Sequence, residues 1–166
     1  SRQRYKGMDV AAAIEPGDWR GRGAARTYVV RGVAHHLTAC FAPDRQLTLA
    51  EYQRSAFAAI DGILVRGKTP ILVGGTGLYI RAVIDNYAIP EVPPDPAVRA
   101  RLERLSTGRL YAMVRRRDPK YAARIPQGNR RYAIRALEVM ETAGKPFSEL
   151  QRRGRPKYRV LMLEPK

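Results

Sequence analysis

The chain has 166 residues, 45% of them apolar, which suits a globular domain with a core and argues against a disordered segment. It carries 31 Lys and Arg residues against 15 Asp and Glu residues, a formal net charge of +16, and 25 of the basic residues are Arg. The single cysteine, Cys40, excludes an internal disulfide framework, and no apolar run approaches the roughly 20 residues of a membrane-spanning helix. We therefore expect a cytoplasmic protein.

The positive charge is concentrated in the second part of the chain. Residues 1–98 carry a net charge of +3, whereas residues 99–166 carry +13. Arg makes planar, bidentate contacts with phosphate, so this distribution favours a nucleic-acid partner. A generally arginine-rich proteome would give the same composition and is the alternative.

Few regular elements are predicted in the first 47 residues. Residues 1–32 are rich in Gly, Arg and Ala and predict a loop with at most a short helix. His35 and His36 are adjacent, so they point to different faces of a strand or a helix and make a poor metal pair. We expect both histidines to be structural, and Cys40 to be a small, partly buried core residue.

A helix is predicted over Leu49–Arg66. Thr48 precedes it, and Glu51 follows three residues later, which is the pattern of a capping box. Apolar residues recur within the segment at helical spacing, and Gly67 ends it in the manner of a C-cap.

The glycine turn at residues 74–77 is the candidate site. The apolar run Ile71–Val73 predicts a buried strand before it, and a helical pattern resumes at Leu78. A strand, a glycine turn and a helix together aim backbone N–H groups at an anion. The turn consists of Gly74, Gly75, Thr76 and Gly77. It is not a P-loop, and two interpretations remain open: a phosphate or diphosphate site, or a tight turn without a ligand.

Beyond residue 96 the predicted elements are helical and basic. The proline-rich residues 90–96 predict a linker, and 97–117 predict an Arg-rich helix broken near Thr107 and Gly108. A short helix follows from Asp118 to Arg124, then a strong helix over Asn129–Thr142, and residues 158–163 predict a strand. This order indicates an α/β protein: residues 1–90 form part of a parallel-sheet core, 91–157 a basic helical insertion, and 158–166 a return strand.

Six segments, taken in order, carry a resemblance to one family. They are Ser1–Gln3 with Tyr5–Asp9, Val33–Leu37, Gly74–Tyr79, Asp95–Glu103, Asp118–Ile125 and Arg135–Ser148. The chain resembles the tRNA dimethylallyltransferases, and the resemblance covers essentially its whole length. It implies a nucleotide-binding core related to P-loop kinases, with an inserted helical domain that grips the anticodon stem-loop.

The resemblance also implies roles for individual residues. Thr76 would contact the reacting nucleotide or the diphosphate, with Gly74, Gly75 and Gly77 shaping the turn. The remaining tRNA contacts would be Ser1, Arg2, Gln3, Arg99, Arg131 and Arg135. From the residues alone, the alternatives are that Arg99 is an ordinary solvated helix charge and that Arg135 braces its helix through Glu138.

The implied reaction transfers a dimethylallyl group from dimethylallyl diphosphate, with Mg²⁺, to the adenosine 3′-adjacent to the anticodon. We expect a monomer. The family's P-loop and its general-base aspartate would precede Ser1, so we expect a piece of a longer protein that is inactive alone. The alternatives are a non-catalytic RNA-binding paralogue, and a P-loop-type small-molecule kinase or adenylate isopentenyltransferase.

Overall fold

The structure is a computed structural model that describes residues 5–8, 15–22, 26–45, 47–126 and 128–163. Internal contacts divide the chain into two compact units, Ser1–Val83 and Ile84–Lys166. No helix within the described ranges is long and apolar enough to cross a membrane.

The first unit contains a small antiparallel sheet, with the strands β1 (Asp18–Arg20), β2 (Thr27–Val30) and β3 (Val33–His35) in that order. The predicted loop over residues 1–32 was therefore wrong for these segments. Arg31 and Gly32, with φ of 48° and 80°, form the two-residue connection between β2 and β3. Two positive φ values are the geometry of a tight hairpin turn, but Arg-Gly lacks the Asn-Gly pattern that usually announces one.

The predicted capping box and helix are confirmed. Helix α1 spans Leu49–Val65; the Glu51 N–H donates to Thr48 Oγ1 at 3.2 Å, and the Thr48 N–H donates to Glu51 Oε2 at 2.9 Å. Helix α2 spans Gly77–Ile84 and packs on α1 through a small core. The fully buried members of that core are Tyr52, Ala56 and Val83.

The second unit is mainly helical, as predicted. Its elements are β4 (Tyr87–Ala88), α3 (Pro96–Glu103), α4 (Thr107–Arg117), α5 (Pro119–Ala122), α6 (Arg130–Ala143), α7 (Phe147–Leu150) and β5 (Arg152–Arg153), with β4 antiparallel to β5. Helix α6 is the centre of the core, since Ala133, Ala136, Leu137 and Val139 are all completely buried.

Helix ends follow the local sequence signals. Asp95 caps α3 by accepting from the N–H groups of Ala97 and Val98, and Ser106 caps α4. The break in the Arg-rich stretch therefore lies at residues 104–106, just before the predicted Thr107 and Gly108. Gly144 ends α6 with a left-handed φ of 64°.

The predicted parallel sheet is not found among the described residues. Ile71–Val73 and residues 158–163 form no strand, and every named strand pairs antiparallel. Parallel pairing in these ranges is limited to one bridge, Tyr5 to Phe41. A strand needs a hydrogen-bonded neighbour, and neither segment has one in the described ranges. Their apolar side chains are consequently exposed, by 83% for Ile71 and 85% for Leu161.

Candidate functional site

The glycine turn lies at the start of α2 and is open to solvent. The carbonyl of Thr76 accepts from the N–H groups of Tyr79 at 3.0 Å and Ile80 at 3.3 Å, so the Thr76 backbone begins the helix. Thr76 and the turn glycines are exposed. These glycines do not adopt a left-handed φ, and a Cβ added to any of them would meet nothing within 4 Å. Neither the backbone nor a neighbouring atom therefore requires glycine here.

Helix α2 is held firmly behind the turn. The Gln53 Nε2 group of α1 donates to the Ala82 carbonyl at 2.6 Å, and both residues are buried. The rings of Tyr52 and Tyr79 meet edge to face, with centroids 4.7 Å apart. An exposed turn on a fixed helix can present its backbone N–H groups to an anion without losing much conformational entropy.

Two of the arginines predicted to contact tRNA meet on one buried carboxylate. Arg99 Nη2 and Arg135 Nη1 each lie 2.9 Å from Glu138 Oε2, and the Asp95 N–H donates to Glu138 Oε1 at 2.8 Å. Arg135 Nη2 also donates to the Val92 carbonyl at 2.7 Å. The alternative that Arg135 braces α6 through Glu138 is thus confirmed, and Arg99 is paired in the same way.

The protonation state of Glu138 follows from this cluster. Its side chain is fully buried, and burial by itself raises the pKa of a carboxyl group. Hydrogen bonds from Arg135, Arg99 and the Asp95 N–H outweigh that effect, so the pKa of Glu138 lies below its usual value. Arg99 Nε is buried without a hydrogen-bond partner among the described residues. Glu138 is therefore an anion that holds two cations in place.

Arg131 is placed differently. It lies exposed in the first turn of α6, and within the described ranges its side chain makes no hydrogen bond or ion pair. Its neighbour Arg130, which sequence reasoning did not single out, points inward. Arg130 donates from Nη1 to the Leu105 carbonyl at 2.9 Å and from Nη2 to the Glu103 carbonyl at 3.0 Å. Arg130 thus satisfies carbonyls at the end of α3, and the sequence holds no local signal for that contact.

Asp118 is a second buried carboxylate with a structural task. It accepts from the Tyr121 N–H at 2.9 Å, the Ser148 N–H at 2.6 Å and the Ser148 hydroxyl at 2.8 Å. Burial by itself raises the pKa of Asp118, but these hydrogen bonds lower it by more, so the net shift of the pKa is downward. The Asp-Pro pair was recognised as a helix start, but its link to α7 became visible only in the fold.

The remaining sequence predictions concern three residues at the start of the chain, one cysteine and two histidines. Ser1, Arg2 and Gln3 lie outside the described residues. Cys40 is exposed, so its expected partial burial was wrong, because the loop that carries it lies at the surface. His35 and His36 are exposed as well. The pKa of His36 is lowered, mainly by its partial burial and then by electrostatic repulsion from Arg66 and His35.

The described residues offer no ligand set for a metal ion. No group of three or more His, Cys, Asp or Glu side chains is close enough to hold one in these ranges. Mg²⁺ usually binds through one or two carboxylates together with substrate phosphates, so the Mg²⁺ expected from the resemblance stays a prediction.

Comparison with known proteins shows the family of this chain. The sequence profile of the family described as IPP transferase matches residues 3–165. The tRNA dimethylallyltransferase of Roseiflexus sp. (strain RS-1) is 43% identical over 167 residues, covering 98% of this chain and 52% of that protein. The tRNA dimethylallyltransferase of Geobacillus thermodenitrificans (strain NG80-2) is 42% identical over 157 residues, covering 92% of this chain and 46% of its own length.

A solved structure shares the fold. The crystal structure of a eukaryotic dimethylallyltransferase acting on tRNA superposes with a TM-score of 0.59 at 20% identity, covering 89% of this chain and 37% of that one. The fold class is thus that of a mixed α/β protein with several helices and short strands. The chain belongs to the IPP transferase family. It spans about half the length of the curated relatives it matches.

Proposed function

We propose that the protein to which this chain belongs is a tRNA dimethylallyltransferase. It transfers the dimethylallyl group of dimethylallyl diphosphate to the exocyclic amine of the adenosine 3′-adjacent to the anticodon, in tRNAs reading U-starting codons. The observation that carries this proposal is the family match along residues 3–165, at 43% identity to a relative of that name.

The chemistry requires a poor nucleophile to displace a diphosphate. The exocyclic nitrogen of adenine forms a bond to the first carbon of the dimethylallyl group, the carbon–oxygen bond to diphosphate breaks, and a general base takes the proton from nitrogen. The developing charge on the leaving group needs N–H donors. The open turn of Gly74, Gly75 and Gly77 is our candidate for these donors, with the Thr76 hydroxyl beside them.

The helical unit supplies the charge that an RNA substrate needs. Residues 99–166 carry a net charge of +13, and phosphate contacts from Arg provide sequence-independent affinity. We retain Arg99, Arg131 and Arg135 as proposed tRNA contacts, with Ser1, Arg2 and Gln3 beside the target base. Arg131 is supported by its exposure, whereas Arg99 and Arg135 would act as parts of the Glu138 cluster.

The finer features of the fold and cellular setting are also proposals. We propose that residues 1–90 and 158–166 belong to a P-loop-kinase-like parallel sheet, to which Ile71–Val73 and 158–163 contribute strands, and that 91–157 form the inserted unit. The exposed apolar side chains of both segments support this. We further propose Mg²⁺ as a cofactor, by resemblance, and a monomer acting in the cytoplasm.

The test is transfer of a radiolabelled dimethylallyl group to a tRNA transcript by the protein as its gene encodes it. We expect one label per tRNA, and none when the target adenosine is replaced by guanosine. Thr76→Ala should lower the rate, while Thr69→Ala, at an exposed threonine outside the turn, should leave it unchanged. RNA binding without transfer would favour the non-catalytic paralogue, and phosphorylation of a small molecule would favour the kinase.

A further inference from the structure

The arginines of the helical unit differ in what remains free to bind a ligand. The guanidinium groups that contact protein acceptors belong to Arg99, Arg101, Arg117, Arg130, Arg135 and Arg153. Helix α4 carries another set on its outer surface, namely Arg109, Arg115 and Arg116. These three are exposed, and their side chains make no ion pair or hydrogen bond within the described ranges. Helix α4 therefore presents unneutralised positive charge to a partner.

A groove of about 320 Å³ runs along this surface of α4. Its lining consists of Thr107, Gly108, Tyr111, Ala112, Arg115 and Gly128. Among the described residues that line the groove, Arg115 is the one charged side chain, and none is a carboxylate. The volume falls at the lower end of the range for small-molecule sites, which suits a single nucleotide.

The aromatic wall of the groove is held in place. The Tyr111 hydroxyl donates to the Pro126 carbonyl and accepts from the Asn129 N–H at 3.1 Å. Both contacts are at the end of the side chain, and Tyr111 also packs against the hydrophobic core, so the ring is fixed while the residue remains only half-buried. A rigid ring loses little entropy when a planar ligand stacks on it.

Two residues of the lining, Gly108 and Gly128, place no side chain in the groove. Gly108 lies in the first turn of α4, has no left-handed φ, and a Cβ there would meet no atom within 4 Å. Neither backbone conformation nor packing requires glycine at this position, although alanine has the higher helix propensity. A larger side chain at residue 108 would instead occupy the space beside Tyr111 and Arg115.

We propose that this groove binds one unpaired nucleotide of the RNA substrate. The base stacks on the ring of Tyr111, and the Arg115 guanidinium pairs with its phosphate. Stacking on aromatic side chains is how proteins hold unpaired bases, and Arg matches the geometry of phosphate. The inference rests on the proposed function for its RNA substrate, and adds to it a nucleotide-binding site separate from the glycine turn.

The experiment measures affinity for an anticodon stem-loop RNA, as a function of salt, with the gene-encoded protein. Arg115→Ala removes the cation of the groove, and Gly108→Leu fills the groove while replacing glycine with a better helix former. Arg116→Ala is the matched control, because Arg116 has the same charge and exposure on the same helix but does not line the groove. Thermal melting of each variant reports folding.

We expect Arg115→Ala to weaken binding about tenfold, and Gly108→Leu to weaken it comparably without lowering the melting temperature. Arg116→Ala should show only the smaller, salt-dependent loss of one surface cation. If Arg115→Ala and Arg116→Ala lose the same affinity, or if Gly108→Leu binds like the wild type, the groove is not a nucleotide site and the proposed function stands. Failure of the wild type both to bind and to modify the RNA would overturn both proposals.

Discussion

Replacing Glu138 by glutamine removes the buried carboxylate that Arg99 and Arg135 share in the helical unit. Two charge-assisted hydrogen bonds reach Glu138 Oε2 and one backbone N–H reaches Oε1. Glutamine has a single acceptor oxygen. Its amide N–H₂ group must therefore point either at the two guanidinium groups or at the Asp95 N–H, all of which are donors. Hydrogen bonds to charged groups contribute about 1.5–3 kcal/mol each.

Solvent reduces the cost of this change. The side chains of Arg99 and Arg135 are 42% and 34% exposed, so water can accept some of the hydrogen bonds that their guanidinium groups now donate to the carboxylate. We therefore expect Glu138→Gln to lower the free energy of unfolding by about 2–3 kcal/mol, below the 3–5 kcal/mol typical of a fully buried pair that loses one partner.

Urea denaturation followed by circular dichroism measures this free energy, provided that the slope against urea concentration is unchanged. Glu141→Gln is the control on the same helix, since the Glu141 side chain is 18% exposed whereas Glu138 is fully buried, and the change should cost less than about 1 kcal/mol. Equal losses for the two variants would refute the assignment of Glu138 as the centre of a buried charge cluster.

The pH dependence gives an independent check on the same carboxylate. The pKa of Glu138 is lower in the folded protein than its ordinary value of 4.5, so folding favours the ionised form. Its contribution is complete above pH 4.5 and is lost as the pH falls through the lower folded value. The difference between wild type and Glu138→Gln should therefore shrink in acid; a difference that grows would contradict the direction of the shift.

Two further predictions concern a helix end and the arginines of α6. Gly144→Ala should destabilise the protein by about 1 kcal/mol in the same urea assay, because alanine is strained at the left-handed φ of 64°; an unchanged midpoint would contradict that geometry. Arg131→Ala should leave stability within about 0.5 kcal/mol and reduce the salt slope of RNA binding by about one, whereas Arg135→Ala should cost stability through Glu138 and Val92. If Arg131→Ala lost as much stability as Arg135→Ala, the inference that the exposed Arg131 has no structural role would be wrong.

Some of the fold could be predicted because its signals are local. The capping box of Thr48 and Glu51, the proline-marked start of α5 and the glycine that ends α6 each act within a few residues, and the structure confirms all three. The i, i+3 brace between Arg135 and Glu138 is of the same kind. The three-stranded sheet was missed because its strands are three or four residues long and its hairpin turn uses Arg-Gly.

The candidate site shows the same division between near and distant neighbours. The resemblance implied tRNA contacts for Arg99, Arg131 and Arg135, and the sequence offered the brace to Glu138 only for Arg135; it did not show that Arg99 is paired and Arg131 is not. Arg99 meets Glu138 across 39 residues of chain, and Arg130 reaches the Glu103 carbonyl across 27. Partners at such separations depend on how the helices pack, which no local pattern encodes.

By itself, the sequence determined the family resemblance, the excess of positive charge in the second part, and the helices with their caps, because motif order, composition and capping act over short separations. Only the tertiary structure decided which arginines are neutralised, that the glycine turn is open in front of a fixed α2, and that α4 carries a groove between Tyr111 and Arg115. Burial and ion pairing depend on the distances between elements, and these distances are set when the chain packs.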